Sequence, residues 1–295
     1  MTAIRSLVAL GSLLIVFTAA AQVTPSKLST IDLTPAQQAG LDLGMDSNYA
    51  FIDLGPTTLG WNSGPIAGSV LLGLGVHANL SGGNNGGLTN GGILFHDSSA
   101  VISGSLQNPV SQSLVSNTTT QNAATIAQNV STYASSLAAT QTFTTINNTL
   151  TLNGNGGLNV IDVANIQNAK LTLSGTDDDF FVFNVSNAIQ TNQPMTLSGG
   201  VAPNHILFNL TGTGTVFQTS GGDFSYGTYL ATNGGAFQFS NLKLNGALIN
   251  TGGNVQFVSG SSIPVPEPGT LGLVSLGAIA LVGALKKSRS RDLRG

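Results

Sequence analysis

The chain contains an internal repeat that restricts its fold more than any other feature. The segment Leu171–Gly175 (LTLSG) is echoed 24 residues later by Met195–Gly199 (MTLSG). The segment Phe181–Val185 (FVFNV) is echoed 25 residues later by Ile206–Leu210 (ILFNL). Two matched pieces in the same order, at a period in the twenties, predict successive coils of a β-solenoid in which equivalent strands lie over one another.

Short apolar segments throughout the chain agree with stacked strands. The repeat predicts that Phe183 and Phe208 point inward at equivalent positions of adjacent coils. The 38 Gly residues suit tight turns, because Gly adopts left-handed backbone conformations at low cost. With no Cys, the domain must rest on its core and its backbone hydrogen bonds. Further strands are predicted at residues 49–52, 69–72, 92–95, 101–103, 227–231, 237–239, 242–244, 247–249 and 255–258.

One segment breaks the β pattern. From Thr118 to Gln141 there is no Gly or Pro, and apolar residues recur at helical spacing. The pattern predicts an amphipathic helix that lies along the solenoid, with Ile126, Val130, Tyr133 and Leu137 facing its wall. Its polar face has no Lys or Arg, which argues against a membrane-surface helix.

The arrangement of these segments resembles a known group of exported proteins. A Tyr-Ala-Phe-Ile opening at residue 49, the helix, the paired Phe-Asn strands and a Gly-Thr-Tyr-Leu-Ala segment are similar to choice-of-anchor A domains. Those domains are related in plan to ice-binding-like proteins. The resemblance implies a mainly β fold, a right-handed β-helix with one long α-helix packed alongside, over residues 48–263. Residues 22–47 form a lead segment, and no catalytic residue is carried over.

The C-terminal region, residues 264–295, has the layout of a sorting signal. Residues 269–285 carry no charge, at the short end of what spans a bilayer, and the basic tail at 286–295 would hold the C-terminus inside. This order resembles the PEP-CTERM signal, which exosortase recognises and cuts. An ordinary tail anchor is the alternative. The motif residues are Val265, Pro266, Glu267 and Pro268, and the membrane-stop residues are Lys286, Lys287, Arg289 and Arg291.

The N-terminus predicts export. Arg5 precedes the apolar run Leu7 to Phe17, and Ala19 to Ala21 supply small residues before Gln22, which is typical of a signal peptide at 1–21 removed by signal peptidase. A retained N-terminal helical anchor is the alternative. Both ends together predict a precursor held transiently in the inner membrane, then a product at the cell surface or outside the cell.

The charge balance excludes one class of partner. Residues 22–264 contain ten Asp, no Glu and three Lys, a balance of about −7, whereas the whole chain has −3. An acidic surface without Arg repels phosphate backbones, so we expect no binding of nucleic acid.

Candidate catalytic residues are few. The three histidines, His77, His96 and His205, lack metal-ligand spacing, and there is neither a Cys nucleophile nor a Gly-x-Ser-x-Gly elbow. We therefore expect no enzyme, with a polysaccharide-active enzyme as an alternative.

The most distinctive polar cluster in the sequence is Asp177-Asp178-Asp179, in a turn between matched strands. Ca²⁺ takes oxygen ligands of this kind, which makes the turn a candidate cation site, although consecutive residues seldom point at one ion. A solvated acidic turn is the alternative, and no other cofactor is expected.

These observations favour a surface or matrix protein. A flat solenoid face rich in Thr, Asn and Gln suits hydrogen bonding to an exopolysaccharide or to envelope proteins, and hence a role in biofilm or adhesion. Ice binding is the alternative. It would need one Thr or Asn per coil, and the spacing of Thr144, Thr149, Thr151 and Thr172 shows no such regularity.

Replacing Glu267 and Pro268 by Ala should leave the full-length protein in the inner membrane. The exosortase recognition element would be lost, while the apolar span and basic tail would remain. Fractionation and immunoblotting measure the outcome, with Ser261→Ala and Ser262→Ala upstream of the motif as the control. Unchanged release of the motif variant would contradict exosortase processing.

Overall fold

The computed structural model describes residues 33–264, apart from positions 63, 82–85, 107–109, 222–223 and 259. The predicted signal peptide, the sorting motif at 265–268, the span and the basic tail lie outside the described residues. Within the described part, no helix is both long enough and apolar enough to cross a membrane.

Strands dominate the described chain, and a short helical lead precedes them. The helices are α1 (Pro35–Leu41) and α2 (Asn117–Ser136), with 3₁₀ turns at Gly44–Asn48 and Pro203–His205. Before α2 lie β1 (Tyr49–Asp53), β2 (Thr58–Trp61), β3 (Pro65–Ala67), β4 (Ser69–Leu72), β5 (His77–Leu80), β6 (Gly87–Thr89), β7 (Ile93–Asp97), β8 (Val101–Gly104) and β9 (Ser111–Val115). After it lie β10 (Gln141–Ile146), β11 (Leu150–Asn153), β12 (Leu158–Gln167), β13 (Leu171–Ser174), β14 (Phe180–Thr191), β15 (Thr196–Ser198), β16 (Ile206–Leu210), β17 (Thr215–Ser220), β18 (Phe224–Ala231), β19 (Ala236–Ser240), β20 (Lys243–Asn250) and β21 (Val255–Val258).

Every strand pairing in the described chain is parallel, and the pairings form three stacks, which are the faces of a β-solenoid. Face 1 runs β10, β12, β14, β16, β18, β20, β1, β4, β7 and β9. Face 2 runs β10, β12, β14, β17, β19, β21, β2, β5 and β8. Strands β10, β12 and β14 turn the corner between these faces. Face 3 contains β11, β13 and β15, the first halves of β18 and β20, and then β3 and β6.

The coils do not stack in chain order. Strand β1 pairs with β20 and β2 pairs with β21, so the N-terminal coils continue the stack beyond the C-terminal ones. Strands β9 and β10, which are neighbours in sequence, therefore lie at opposite ends. The ten strands of face 1 span roughly 43 Å at the usual strand spacing. The 20 residues of α2 cover about 30 Å of that length and return the chain to the far end.

The solenoid interior contains a column of stacked aromatic rings. Phe183 pairs with Phe208 and Phe208 with Tyr229, in register. The ring centroids of each pair lie 4.5 Å apart, and all three side chains are buried. The predicted equivalence of Phe183 and Phe208 is confirmed, and Tyr229 extends the column by one coil.

Helix α2 covers the outer side of face 1. Its buried apolar residues pack on a second cluster whose solenoid members point outward from face 1. The helix residues are Ala123, Ala127, Val130 and Ala134, and the solenoid residues include Ile52, Leu71, Val182, Leu207, Leu230 and Ile249. The small Ala side chains allow close approach of helix and sheet.

Two details of the predicted helix are wrong. It ends at Ser136 and not at Gln141, because Thr140 already donates its backbone N–H to the Val160 carbonyl at the start of β10. In addition, Tyr133 and Ile126 face the lead segment. A Cβ at Gly40 would stand 2.4 Å from the Tyr133 ring, and one at Gly44 would stand 3.6 Å from Ile126 Cδ1.

Val130→Asp should destabilise the protein strongly. Val130 is 2% exposed, so the substitution buries a charge without a partner, at a cost of several kcal/mol. Thermal unfolding measures the effect. Asn129→Asp, on the exposed side of the same helix, is the matched control. Equal melting temperatures for the two variants would contradict the packing of α2 on face 1.

Candidate functional site

The outer side of face 2 presents a row of glutamines, here called the glutamine row. Side chains alternate between inside and outside along each strand, so one position per strand recurs along the face. Five consecutive coils place Gln at that position, and every pair is in register. The row consists of Gln167, Gln190, Gln218, Gln238 and Gln256, all exposed or half-buried.

The same position continues onto the N-terminal coils with a glycine and two small polar residues. Gly60, Asn79 and Ser103 follow Gln256 in register. A Cβ at Gly60 would stand 3.8 Å from Gln256 Cγ, so the Gln256 side chain lies against this glycine. The Ser103 hydroxyl donates a 2.7 Å hydrogen bond to Asn79 Oδ1. The continued row spans roughly 34 Å at the usual strand spacing.

The described residues around the glutamine row include no Asp, Glu, Lys or Arg. One flanking position holds Thr215, Ala236, Thr58, His77 and Val101. On the other side lie Ser220, Ser240 and Val258, continued by Asn62 and Ser81, whose side chains are joined by a 2.7 Å hydrogen bond. The described part of this surface therefore offers amides, hydroxyls and the His77 imidazole as its side-chain hydrogen-bonding groups.

Sequence reasoning named glutamine as a component of a flat face but missed the row. The intervals between its members differ, so no fixed period reveals them. A local signal was present, since each Gln directly follows a buried Ile, Phe or Val. Those preceding residues are Ile166, Ile189, Phe217, Phe237 and Val255.

Face 3 carries a short threonine row that the sequence analysis judged absent. Thr151 pairs with Thr172 and Thr172 with Thr196, while Asn153, Ser174 and Ser198 align beside them. Two of the four threonines considered from sequence, Thr151 and Thr172, thus align across coils, together with Thr196, which was not considered. The row covers three coils and ends with β15 in the described sheet.

The three consecutive aspartates do not converge. Asp177 and Asp178 are exposed, whereas Asp179 is 2% exposed and turned inward. Asp179 Oδ2 accepts from the Thr176 N–H at 2.8 Å, and Oδ1 accepts from the Gly156 N–H at 2.8 Å and from Asn159 at 3.1 Å. Within the described chain, no group of three His, Cys, Asp or Glu could hold a metal. The geometry explains Asp179 as a link between coils and does not support a shared cation site.

The electrostatics of Asp179 follow from this position. Burial alone raises the pKa of its carboxyl, but the hydrogen bonds from Thr176, Gly156 and Asn159 outweigh burial and hold the pKa below its usual value. A Cβ at Gly175 would stand 2.6 Å from Asp179 Oδ2, so glycine is needed where the carboxylate is enclosed.

Three further titratable groups, Asp46, Asp53 and His205, lie apart from the glutamine row. Burial raises the pKa of Asp46 to about 8 and that of Asp53 to about 7, and both side chains are fully buried. His205 ends a 3₁₀ turn and stacks on Phe180, with ring centroids 5.9 Å apart. None of these groups lies on the exposed surface of face 2.

The family of the domain is decided by its match to a family model. The model described as "Putative Ice-binding-like adhesive domain" matches residues 39–264. The chain belongs to this adhesive family. The PEP-CTERM protein-sorting motif matches residues 264–287, which confirms the sorting signal. This motif implies export of the protein through a membrane-anchored precursor. No curated protein matches the chain.

Solved structures share the fold of this adhesive domain at low identity. The ice-binding protein of Antarctomyces psychrotrophicus is 18% identical with a TM-score of 0.53, covering 77% of this chain and 99% of that chain. Ice-binding protein 1 of Shewanella frigidimarina is 16% identical with a TM-score of 0.56, covering 76% and 96%. LeIBP from an Arctic yeast is 17% identical with a TM-score of 0.52, covering 78% and 96%. These similarities confirm the ice-binding-like β-helix fold.

Asp179→Asn should lower the free energy of unfolding at pH 7 by about 2 kcal/mol, because a charged acceptor of several buried hydrogen bonds is lost. The folded-state pKa is depressed, so the stabilisation is full above the unfolded value near 4 and is lost as pH falls through the folded value. Chemical denaturation between pH 7 and pH 2 tests this, with Asp177→Asn as the exposed control. A difference from wild type that stays constant with pH would contradict the assignment.

Proposed function

We propose that this protein is an exported, non-enzymatic adhesive component of the cell surface or extracellular matrix, and that its glutamine row binds a neutral, extended exopolysaccharide. Signal peptidase and exosortase would process the precursor while the inner membrane holds it transiently. The five in-register glutamines are the observation that carries the binding proposal. The adhesive family supports the general role.

The geometry suits a linear polymer. A repeating row offers one amide per coil, and each amide both donates and accepts hydrogen bonds, as sugar hydroxyls do. A single hydrogen bond contributes only about 1 kcal/mol, so useful affinity requires several along the same chain. The absence of Lys and Arg among the described residues of this surface favours a neutral polymer over an acidic one.

The non-enzymatic role is supported by the placement of the titratable groups. Catalysis of glycoside cleavage requires two carboxyl groups facing each other across a substrate cleft. In the described chain, the carboxyls with strongly raised pKa, Asp46 and Asp53, are fully buried and cannot meet a polymer on face 2.

Changing Gln218, Gln238 and Gln256 together to Ala should weaken binding of the host exopolysaccharide at least 10-fold. Three lost hydrogen bonds of about 1 kcal/mol each account for this loss. The full chain, purified in detergent, would be measured by affinity electrophoresis and by retention on immobilised polysaccharide. Thr151, Thr172 and Thr196 changed together to Ala provide a matched control on face 3. Wild-type retention of the glutamine variant would refute the proposal.

Ice binding is a second candidate, favoured by the threonine row, since Thr151, Thr172 and Thr196 align across coils. Inhibition of ice recrystallisation tests it. If face 3 binds ice, Thr172→Tyr should abolish the inhibition, while Gln238→Tyr should leave it intact. No inhibition by the wild-type protein would remove this candidate.

A further inference from the structure

A polar cleft, here called the hydroxyl cleft, lies between the second half of α2 and the turns that follow β16 and β18. Its volume is about 310 Å³. All seven lining residues carry a hydroxyl or a side-chain amide, and none is charged. They are Gln128, Ser131, Thr132 and Ser135 on the helix, and Thr211, Thr232 and Asn233 on the solenoid.

Both walls of the cleft have a regular spacing. On the helix, Ser131 and Ser135 lie one turn apart, as do Gln128 and Thr132, so both pairs face the same side. On the solenoid, Thr211 and Thr232 directly follow residues that pair in register between β16 and β18. Their backbones are therefore one strand spacing apart, about 4.8 Å. The cleft thus presents ordered hydroxyls on two opposing walls.

The floor of the cleft is a buried hydrogen-bond network centred on Asn209, which is fully buried. Asn209 Nδ2 donates to Ser135 Oγ at 2.9 Å, and its Oδ1 accepts from Ser131 Oγ at 2.7 Å. Thr232 Oγ1 donates to Ser131 Oγ at 2.9 Å. These contacts hold the hydroxyl groups in place before any ligand arrives, which reduces the entropy cost of binding.

The residues at the opening retain hydrogen-bonding capacity. Ser135 Oγ accepts from Asn209, which leaves its proton to donate. Asn233 donates from Nδ2 to the Thr211 carbonyl at 3.0 Å, which leaves its Oδ1 to accept. Anchoring of the helix explains the buried Ser131 and Asn209. It does not explain the exposed polar residues around the opening, since anchoring does not require them.

We propose that the hydroxyl cleft binds a single neutral saccharide residue, as a site separate from the glutamine row. A lining without charge does not suit an ionic ligand, and a lining of hydroxyls and amides does not suit a lipid. A sugar ring matches the cleft in both respects, because its many hydroxyls can donate to and accept from groups fixed on two walls. The volume is at the lower end of that of ligand pockets, which fits one monosaccharide unit.

The test uses the full chain in detergent and a panel of neutral monosaccharides, including glucose, galactose, mannose and N-acetylglucosamine, measured by saturation-transfer NMR. Wild-type protein should bind at least one of them. Thr132→Trp, which fills the cleft from an exposed helix position, should weaken binding at least 10-fold. Asn129→Trp, on the outer side of the same helix, should leave binding unchanged. Ser135→Ala removes one donor without adding bulk and should weaken binding several-fold.

The outcomes separate this site from the glutamine row. The cleft proposal is supported if Thr132→Trp loses monosaccharide binding while the triple glutamine variant keeps it. This holds whatever the polymer assay shows. Binding of no sugar in the panel, or equal binding by Thr132→Trp and Asn129→Trp, would overturn the cleft proposal and leave the glutamine row to its own test.

Discussion

The parallel pairing of β1 with β20 is the contact on which the rest of the structure depends. It places the N-terminal coils beyond the C-terminal ones and sends β9 and β10 to opposite ends of the stack. The connection between β9 and β10 must therefore cross the whole solenoid. Helix α2 makes this crossing with its backbone hydrogen bonds satisfied. The outer side of face 1 is apolar because α2 covers it. The hydroxyl cleft exists because the helix lies beside the corner turns of the coils.

The scarcity of charge explains why regular rows matter in this protein. Individual amides and hydroxyls bind weakly in water, because each contact replaces a hydrogen bond to solvent. A solenoid compensates by repeating the same group at one strand spacing, so that a repeating ligand meets many equal contacts. The glutamine row does this over five coils, and the threonine row over three. The described surface of face 2 therefore suits an extended, regular partner more than a compact one.

At least one charged side chain of the described residues, that of Asp179, stabilises the fold. Asp179 accepts hydrogen bonds from its own turn and from Gly156 in the neighbouring coil, which links two coils where no disulfide can form. The same reasoning applies to the amides of Asn184 and Asn209, which align in adjacent coils and are joined by a 2.9 Å hydrogen bond beneath the helix. These hydrogen bonds connect polar side chains in neighbouring coils and so help to hold the stack together.

The sequence alone determined the solenoid class, the equivalence of Phe183 and Phe208, the Ala-rich helix and the sorting motif. Each of these depends on local spacing or on a contiguous motif, which a single chain displays directly. Only the tertiary structure decided the order of the coils, the glutamine row, the alignment of Thr196 with Thr172, and the inward position of Asp179. It also placed Ile126 and Tyr133 on the lead segment. The physical reason is that backbone hydrogen bonds set register between coils, while loops of unequal length separate the aligned residues along the chain.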